Sequence, residues 1–171
     1  VAHSSDGIYY DKHRQLVIND SDFDKFGCED PRVTKFEGKF YIFYTGLSGY
    51  PFSAENIKVA VAISNDLKTI EAKHLVTPFN AKAMAIFPER INGKVSALVT
   101  INPDRKPSDI CYVECDNIEQ LWSESFWQEW LKKIDNNKLK IRRYAEDHVE
   151  LGSVPLKTDH GWLVIYAHIQ R

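Results

Sequence analysis

A chain of 171 residues is long enough for one domain, at most two, and for a substantial buried core. Hydrophobic residues make up 43%, aromatics 12% and charged residues 27%, a globular composition on the aromatic-rich side. The 22 basic and 24 acidic residues leave a net charge of -2, with no electrostatic footprint for nucleic acid or an anionic membrane, so neither partner is expected.

No stretch reaches the roughly eighteen apolar residues of a bilayer span, and no charged-then-apolar leader opens the chain. The first residue is Val1, which points to a processed or truncated start and leaves the compartment unread, the cytoplasm being favoured. Cys28, Cys111 and Cys115 form no C-x-x-C pair and have no matching histidine spacing, so neither a disulfide framework nor a zinc site is expected, and Cys111 and Cys115 read as buried free thiols.

In chain order, residues 1 to 26 read as a weak hairpin or a sheet edge. Asp20, Asp22 and Asp24 alternate like a calcium loop, but the glycine and the later bidentate glutamate are missing, which favours a solvated acidic turn and no metal site. Next comes G-C-E-D-P-R, where Glu29, Asp30 and Arg32 stand at the mouth of an apolar and aromatic run ending in Tyr44-Thr45-Gly46. Such a cluster suits acid catalysis on a polyhydroxylated substrate. Asp30 donates a proton, Arg32 makes a bidentate contact with an anion, and Pro31 is expected to hold Asp30 in an extended backbone. A plain turn with a surface ion pair is the competing explanation.

Strict alternation places Ile57, Val59, Val61 and Ile63 on one strand face. A repeat then emerges. Pro88-Glu89-Arg90, with Gly93-Lys94 and a strand to Thr100, restates Pro31-Arg32, Gly38-Lys39 and the strand to Thr45, and Val154-Pro155 with Gly161-Trp162 restates it again. Repeated units of short strands predict an all-β propeller, which needs four to eight blades to close; the chain supplies about three, so residues 1–171 are expected to form one incomplete domain. A compact sandwich of hairpins is the alternative. One helical insertion is expected over about 117–134, its Trp122, Trp127 and Trp130 stripe serving packing more than sugar stacking.

Three segments carry a family resemblance: G-C-E-D-P-R at 27–32, K-A-M-A-I-F-P-E-R-I-N-G-K at 82–94, and E-L-G-S-V-P at 150–155 with G-W-L-V-I-Y at 161–166. In order and spacing they resemble glycoside hydrolase family 130, from about Asp6 to the end. The resemblance implies a five-bladed propeller acting on β-mannosidic bonds of oligosaccharides, with phosphate or water as acceptor and no cofactor beyond phosphate as a co-substrate. It implies Asp30 as proton donor, acting through a sugar hydroxyl, and Arg32, Lys82 and Glu89 as lining of the central pocket.

Two phosphate-binding positions of the family's phosphorylases look altered, at Val99-Thr100-Ile101 and at Tyr166-Ala167-His168. The expectation is therefore an inverting β-mannoside hydrolase, with Asp30 as acid and Glu150 as the base activating water. Glu29, Arg32, Lys82, Glu89, His148, Tyr166 and His168 are the expected substrate contacts, with Asp147 and Glu89 as reserve bases. A phosphorylase holding phosphate through Lys82, Arg90 or Arg105 and His168 is the first alternative. A non-catalytic carbohydrate-binding propeller, and assembly into a homo-oligomer, remain open.

Overall fold

The computed structural model describes residues 1–105 and 107–169. It is mostly β-sheet, with few helices. Strands β1 (Gly27–Phe36), β2 (Lys39–Leu47), β3 (Ile57–Ser64) and β4 (Ala72–Leu75) form an antiparallel four-stranded meander. Strands β5 (Ala81–Ile86), β6 (Val95–Ile101) and β7 (Asp109–Cys115) form a second antiparallel sheet. In the third unit, β8 (His148–Leu151) pairs with β11 (Tyr166–Ile169), and β9 (Leu156–Thr158) pairs with β10 (Gly161–Leu163).

These units stack in chain order because β2, β3, β5 and β6 are apolar on both faces, the pattern of strands covered on both sides. One core layer joins Phe36, Phe43, Val59 and Val61 of the first sheet to Met84, Ile86, Val95 and Val99 of the second. A second layer joins Ala85, Leu98 and Ile110 to Val149, Leu151 and Trp162 of the third unit. The outer face of the first sheet, with Ile42, Tyr44, Ala60 and Ala62, is covered by Leu16, Val17 and Phe23 of the N-terminal segment. That segment holds one isolated bridge, His3 to Asp11, rather than a hairpin.

The acidic run at 20–24 departs from the expected solvated turn. Asp24 is fully buried, accepting from the Tyr44 hydroxyl at 2.7 Å and from Lys73 Nζ at 2.6 Å, while Lys73 also reaches Asp20 at 2.7 Å. The turn 21–26 lies so close on β2 that a Cβ at Gly46 would stand 2.7 Å from the Phe23 carbonyl oxygen. Among the described residues, no cluster of His, Cys, Asp or Glu is arranged to hold a metal ion.

The expected helical insertion is three pieces: a 3-10 turn at Ile118–Trp122, α1 (Glu124–Leu131) and α2 (Ile134–Asn137). A capping box between Asn117 and Gln120 starts the first. Trp127 is wholly buried and donates its indole N–H to the Leu121 carbonyl, and Trp130 packs beside it at 5.2 Å between ring centroids. The stripe is packing. Cys111 and Cys115 are buried free thiols on β7, each pushed by burial to about 12.

Two of the repeat's three turn glycines sit where it puts them, Glu37-Gly38 and Asn92-Gly93 both carrying positive φ at both residues as two-residue hairpin turns require, whereas Gly161 opens β10 just after the turn Asp159-His160. The alignment of the repeat needs correcting at its other end. β1 has a bulge between Glu29, paired with Thr45, and Arg32, paired with Phe43. β5 has the same bulge between Lys82, paired with Thr100, and Ala85, paired with Leu98. Asp30 and Ala83 carry φ of 52° and 53°. Lys82-Ala83-Met84-Ala85 is thus the counterpart of Glu29-Asp30-Pro31-Arg32, and Pro88-Glu89-Arg90 is an extension at the opposite end of the β5–β6 hairpin.

Candidate active site

The bulge on β1 explains the geometry of the acidic motif. Pro31 has no N–H to give to a ladder, and a proline within a sheet is accommodated at a bulge. Asp30 therefore adopts a left-handed backbone, tolerated by Asp better than by most residues, rather than the extended one expected. Its side chain projects from the ladder and is exposed, as is that of Glu29, and neither carboxylate has a hydrogen-bond partner among the described residues. An exposed, unpartnered carboxylate on a rigid strand is positioned to meet a ligand.

Arg32 fastens this bulge to the third unit. Nη1 donates to the Asp30 carbonyl at 2.9 Å and Nη2 to the Leu151 carbonyl on β8 at 2.6 Å. Burial, the largest influence, lowers its pKa from the ordinary value, opposed by the charges of Asp30 and Glu150. Its Nε has no partner among the described residues. The expected substrate clamp is at least a structural clamp, spending two donors on backbone 119 residues apart in the case of Leu151.

Lys82, the residue before the bulge on β5, meets Glu150 on β8 at 3.0 Å. His148 Nε2 lies 2.9 Å from the same Glu150 oxygen. The frame around them is fixed by Thr100, whose backbone pairs with Lys82 and whose hydroxyl accepts the Leu151 N–H at 2.9 Å. Burial pushes the Glu150 carboxyl upward, but hydrogen bonds from His148 and Lys82 and the charge of Lys82 outweigh it, leaving the pKa below the ordinary 4.5. Glu150 is thus a paired carboxylate at neutral pH. Arg142, a basic residue close to Glu150 in sequence, pairs instead with Asp109 at 2.9 Å.

Beside this cluster, His168 Nε2 on β11 is 2.6 Å from Asp147. Asp147 also accepts the backbone N–H groups of Arg143 and Tyr144, pinning the loop that leads into β8. Although burial works the other way, the His168 bond and those two amides lower its pKa. Tyr166 is exposed and pairs by its backbone with Leu151.

The structure therefore gathers Arg32, Lys82, His148 and Glu150, with Glu29 and Asp30 beside Arg32 on β1 and His168 and Tyr166 on the strand next to β8. It does not bring Glu89 there. Glu89 lies past the far end of β5, paired with Lys157 at 2.5 Å, and Arg90 at that same end binds Glu37 at 2.6 Å. Arg105 is paired with Glu55 at 2.9 Å and lines a groove with Phe79 and Asn80. Of the cations foreseen for phosphate, only Lys82 stands in the cluster.

Sequence reasoning missed how three buried polar atoms are distributed. Arg32 Nε, His148 Nδ1 and Thr45 Oγ1, the last cross-strand from Glu29, are buried without a partner among the described residues. Buried donors and acceptors are ordinarily paired, so orphans around one cluster call for a ligand or a bound water to complete them. A threonine at the same strand position in both hairpins, Thr45 and Thr100, was the available signal.

The family model described as beta-1,4-mannooligosaccharide phosphorylase matches residues 1–170. A 1,2-beta-oligomannan phosphorylase of Thermoanaerobacter sp. strain X514 is 31% identical over 164 residues, which cover 95% of this chain and 50% of that protein. A beta-1,2-mannobiose phosphorylase of the same organism is 26% identical, over 95% of this chain and 49% of its own. The solved beta-1,2-mannobiose phosphorylase of Listeria innocua superposes with a TM-score of 0.71 at 25% identity, covering 96% of this chain and 43% of that one. The chain spans about half the length of the curated relatives it matches.

These findings overturn the expectation of hydrolysis. The relatives are named for phosphorolysis, and the residue assigned as the base for water is tied up by Lys82 and His148. The altered segments that argued against phosphate do not exclude it, because they were judged from local sequence while the cluster is assembled from distant strands. The match over residues 1–170 makes this chain a member of glycoside hydrolase family 130.

Proposed function

We propose that the protein phosphorolyses β-mannosidic bonds of oligosaccharides, taking inorganic phosphate as co-substrate and releasing mannose 1-phosphate. The observation that carries this is the cluster of Arg32, Lys82, His148 and Glu150, a partly exposed lysine paired with a carboxylate near buried polar atoms that lack partners among the described residues. The names of the relatives supply the reaction class.

In this reading Asp30 supplies the proton to the departing sugar oxygen, directly or through a sugar hydroxyl. Phosphate attacks the anomeric carbon from the opposite face, so that the bond to the leaving sugar breaks as the bond to phosphate forms, with inversion. A phosphate dianion is already a nucleophile and needs no base to activate it, which removes the role first given to Glu150. Lys82 supplies charge-assisted hydrogen bonds to the phosphate. Glu29, Glu150 and His148 face sugar hydroxyls, Tyr166 and His168 flank them on the neighbouring strand with their side chains on its other face, and Arg32 holds the β1 bulge in register with β8.

The fold proposed to carry this is a five-bladed propeller to which the chain contributes about three blades of one domain. Three strands with their functional residues near one end, stacked in order, agree with inner blade strands meeting at an axis. The two more similar relatives favour a β-1,2 linkage.

The test is to incubate the intact protein with β-1,2- and β-1,4-mannobiose, with and without inorganic phosphate, following mannose and mannose 1-phosphate. Mannose 1-phosphate formed only with phosphate, and faster from the 1,2-linked sugar, is the expected result. Mannose released at the same rate in both conditions would refute phosphorolysis.

A further inference from the structure

Lys82 is the cation of the cluster to which phosphate binding is assigned, and it already has an anion beside it. Its Nζ lies 3.0 Å from Glu150 Oε1, and both side chains are about one quarter exposed, 24% and 23%. The pair is built into the fold rather than made by chance at a surface. Thr100 pairs with Lys82 through its backbone and with Leu151, the neighbour of Glu150, through its hydroxyl. His148, buried to 3% exposure, holds the same Glu150 oxygen at 2.9 Å, so the carboxylate is the anchored member and the long lysine stem the movable one.

A phosphate dianion arriving at Lys82 meets this carboxylate at close range, and like charges sharing one site repel strongly. A sugar meets the opposite situation, because a hydroxyl donates to a carboxylate without adding charge. Resting on the phosphorylase reading, we infer that Glu150 is an internal counter-anion that occupies Lys82 in the free protein and sets the order of binding. A mannoside hydroxyl takes the Glu150 oxygen first. Lys82 is thereby released, and phosphate then binds it.

Glu150 thus determines specificity on both sides, admitting the sugar by its acceptor oxygen and excluding free phosphate, and other small anions, from an empty site. It moves no proton and makes no bond to the reacting atoms. Two sites coupled in this way must be coupled reciprocally, the sugar tightening phosphate by the same factor as phosphate tightens the sugar.

The experiment is calorimetric titration of the intact protein with inorganic phosphate, alone and in the presence of a non-cleavable thio-linked β-mannobiose, for the wild type and Glu150→Gln. In the wild type phosphate alone should bind weakly, and the thio-sugar should tighten it by about ten-fold. Glu150→Gln should bind phosphate alone about ten-fold more tightly than the wild type, lose the coupling, and show a raised KM for the mannoside. A merely structural lesion would weaken phosphate, not tighten it. Should the variant fail to fold, Glu150→Ala takes its place with the same expected tightening of phosphate, and absence of coupling in the wild type still overturns the inference.

Equal phosphate affinity with and without the thio-sugar, in a protein that still forms mannose 1-phosphate, would overturn the inference and leave the phosphorylase reading standing. No phosphate binding in either condition, with no mannose 1-phosphate formed, would overturn both.

Discussion

The bulges on β1 and β5 are one backbone device put to two uses. Each looses two residues from the ladder and turns the first to a φ near 50°, before a residue paired in register again. On β1 that first residue is Asp30, exposed and without a partner. On β5 it is Ala83, only 4% exposed and packed with Ala85 and Leu98. The residue before the bulge reverses the contrast, Glu29 standing exposed while Lys82 is gripped by Glu150. The fold thus supplies the same platform more than once, and the side chains decide which copy carries the acid and which the cation.

The comparison is broken most severely at Asp30, the proposed proton donor. Asp30→Asn should lower turnover of mannobiose by roughly 10²- to 10⁴-fold, the span of general acid catalysis, while the melting temperature stays within error because the side chain is exposed. Steady-state kinetics beside a thermal melt checks both halves. On the other bulge, Lys82→Met should raise the phosphate KM by about ten- to one hundred-fold with a smaller effect on the mannoside KM, read from initial rates at varied phosphate.

Smaller effects sharpen the structural side. Arg32→Lys cannot reach both the Asp30 and Leu151 carbonyls with a rigid fork, and should cost about 1–2 kcal/mol in denaturant unfolding. Glu150 contributes to the acid limb of stability. Its folded pKa lies below 4.5, so its contribution is fully present above that value and is lost as pH falls through the lowered one. Glu150→Gln should therefore flatten the stability profile below about pH 4.5 and leave its slope at neutral pH unchanged, measured by urea midpoints across pH. Ala83→Gly is the mildest change, a gain from the positive φ set against lost packing, and should stay within about 1 kcal/mol.

What could be read in the sequence divides along the same line. Strand alternation and the glycine turns are local properties, and β1 to β3, β6 and β7 lie where periodicity puts them. The Asp-Pro at 30–31 signals a break in a ladder. Nothing in Ala83-Met84 signals the identical break, because a bulge is defined by the partner strand and not by its own residues. Pro88 therefore drew the repeat alignment to the wrong end of its hairpin.

The same blindness to distant partners misjudged Asp24, which looks like a solvated turn residue until Tyr44 and Lys73, 20 and 49 positions away, surround it. Individual site residues on β1, β5 and β8 were nameable. Their relations were not, since Lys82 and Glu150 meet only when the second and third units stack. Calling Glu150 a base assumed an available carboxylate, and availability is a property of neighbours.

The most direct test of the division between the two bulges uses a leaving group that needs no proton. The intact wild type and Asp30→Asn are compared, in saturating phosphate, on mannobiose and on a dinitrophenyl β-mannoside. The account predicts that Asp30→Asn nearly abolishes mannobiose cleavage but keeps most of the wild-type rate on the activated glycoside, with mannose 1-phosphate as product. Equal losses on both substrates, or no loss on mannobiose, would contradict the assignment of the acid to the β1 bulge.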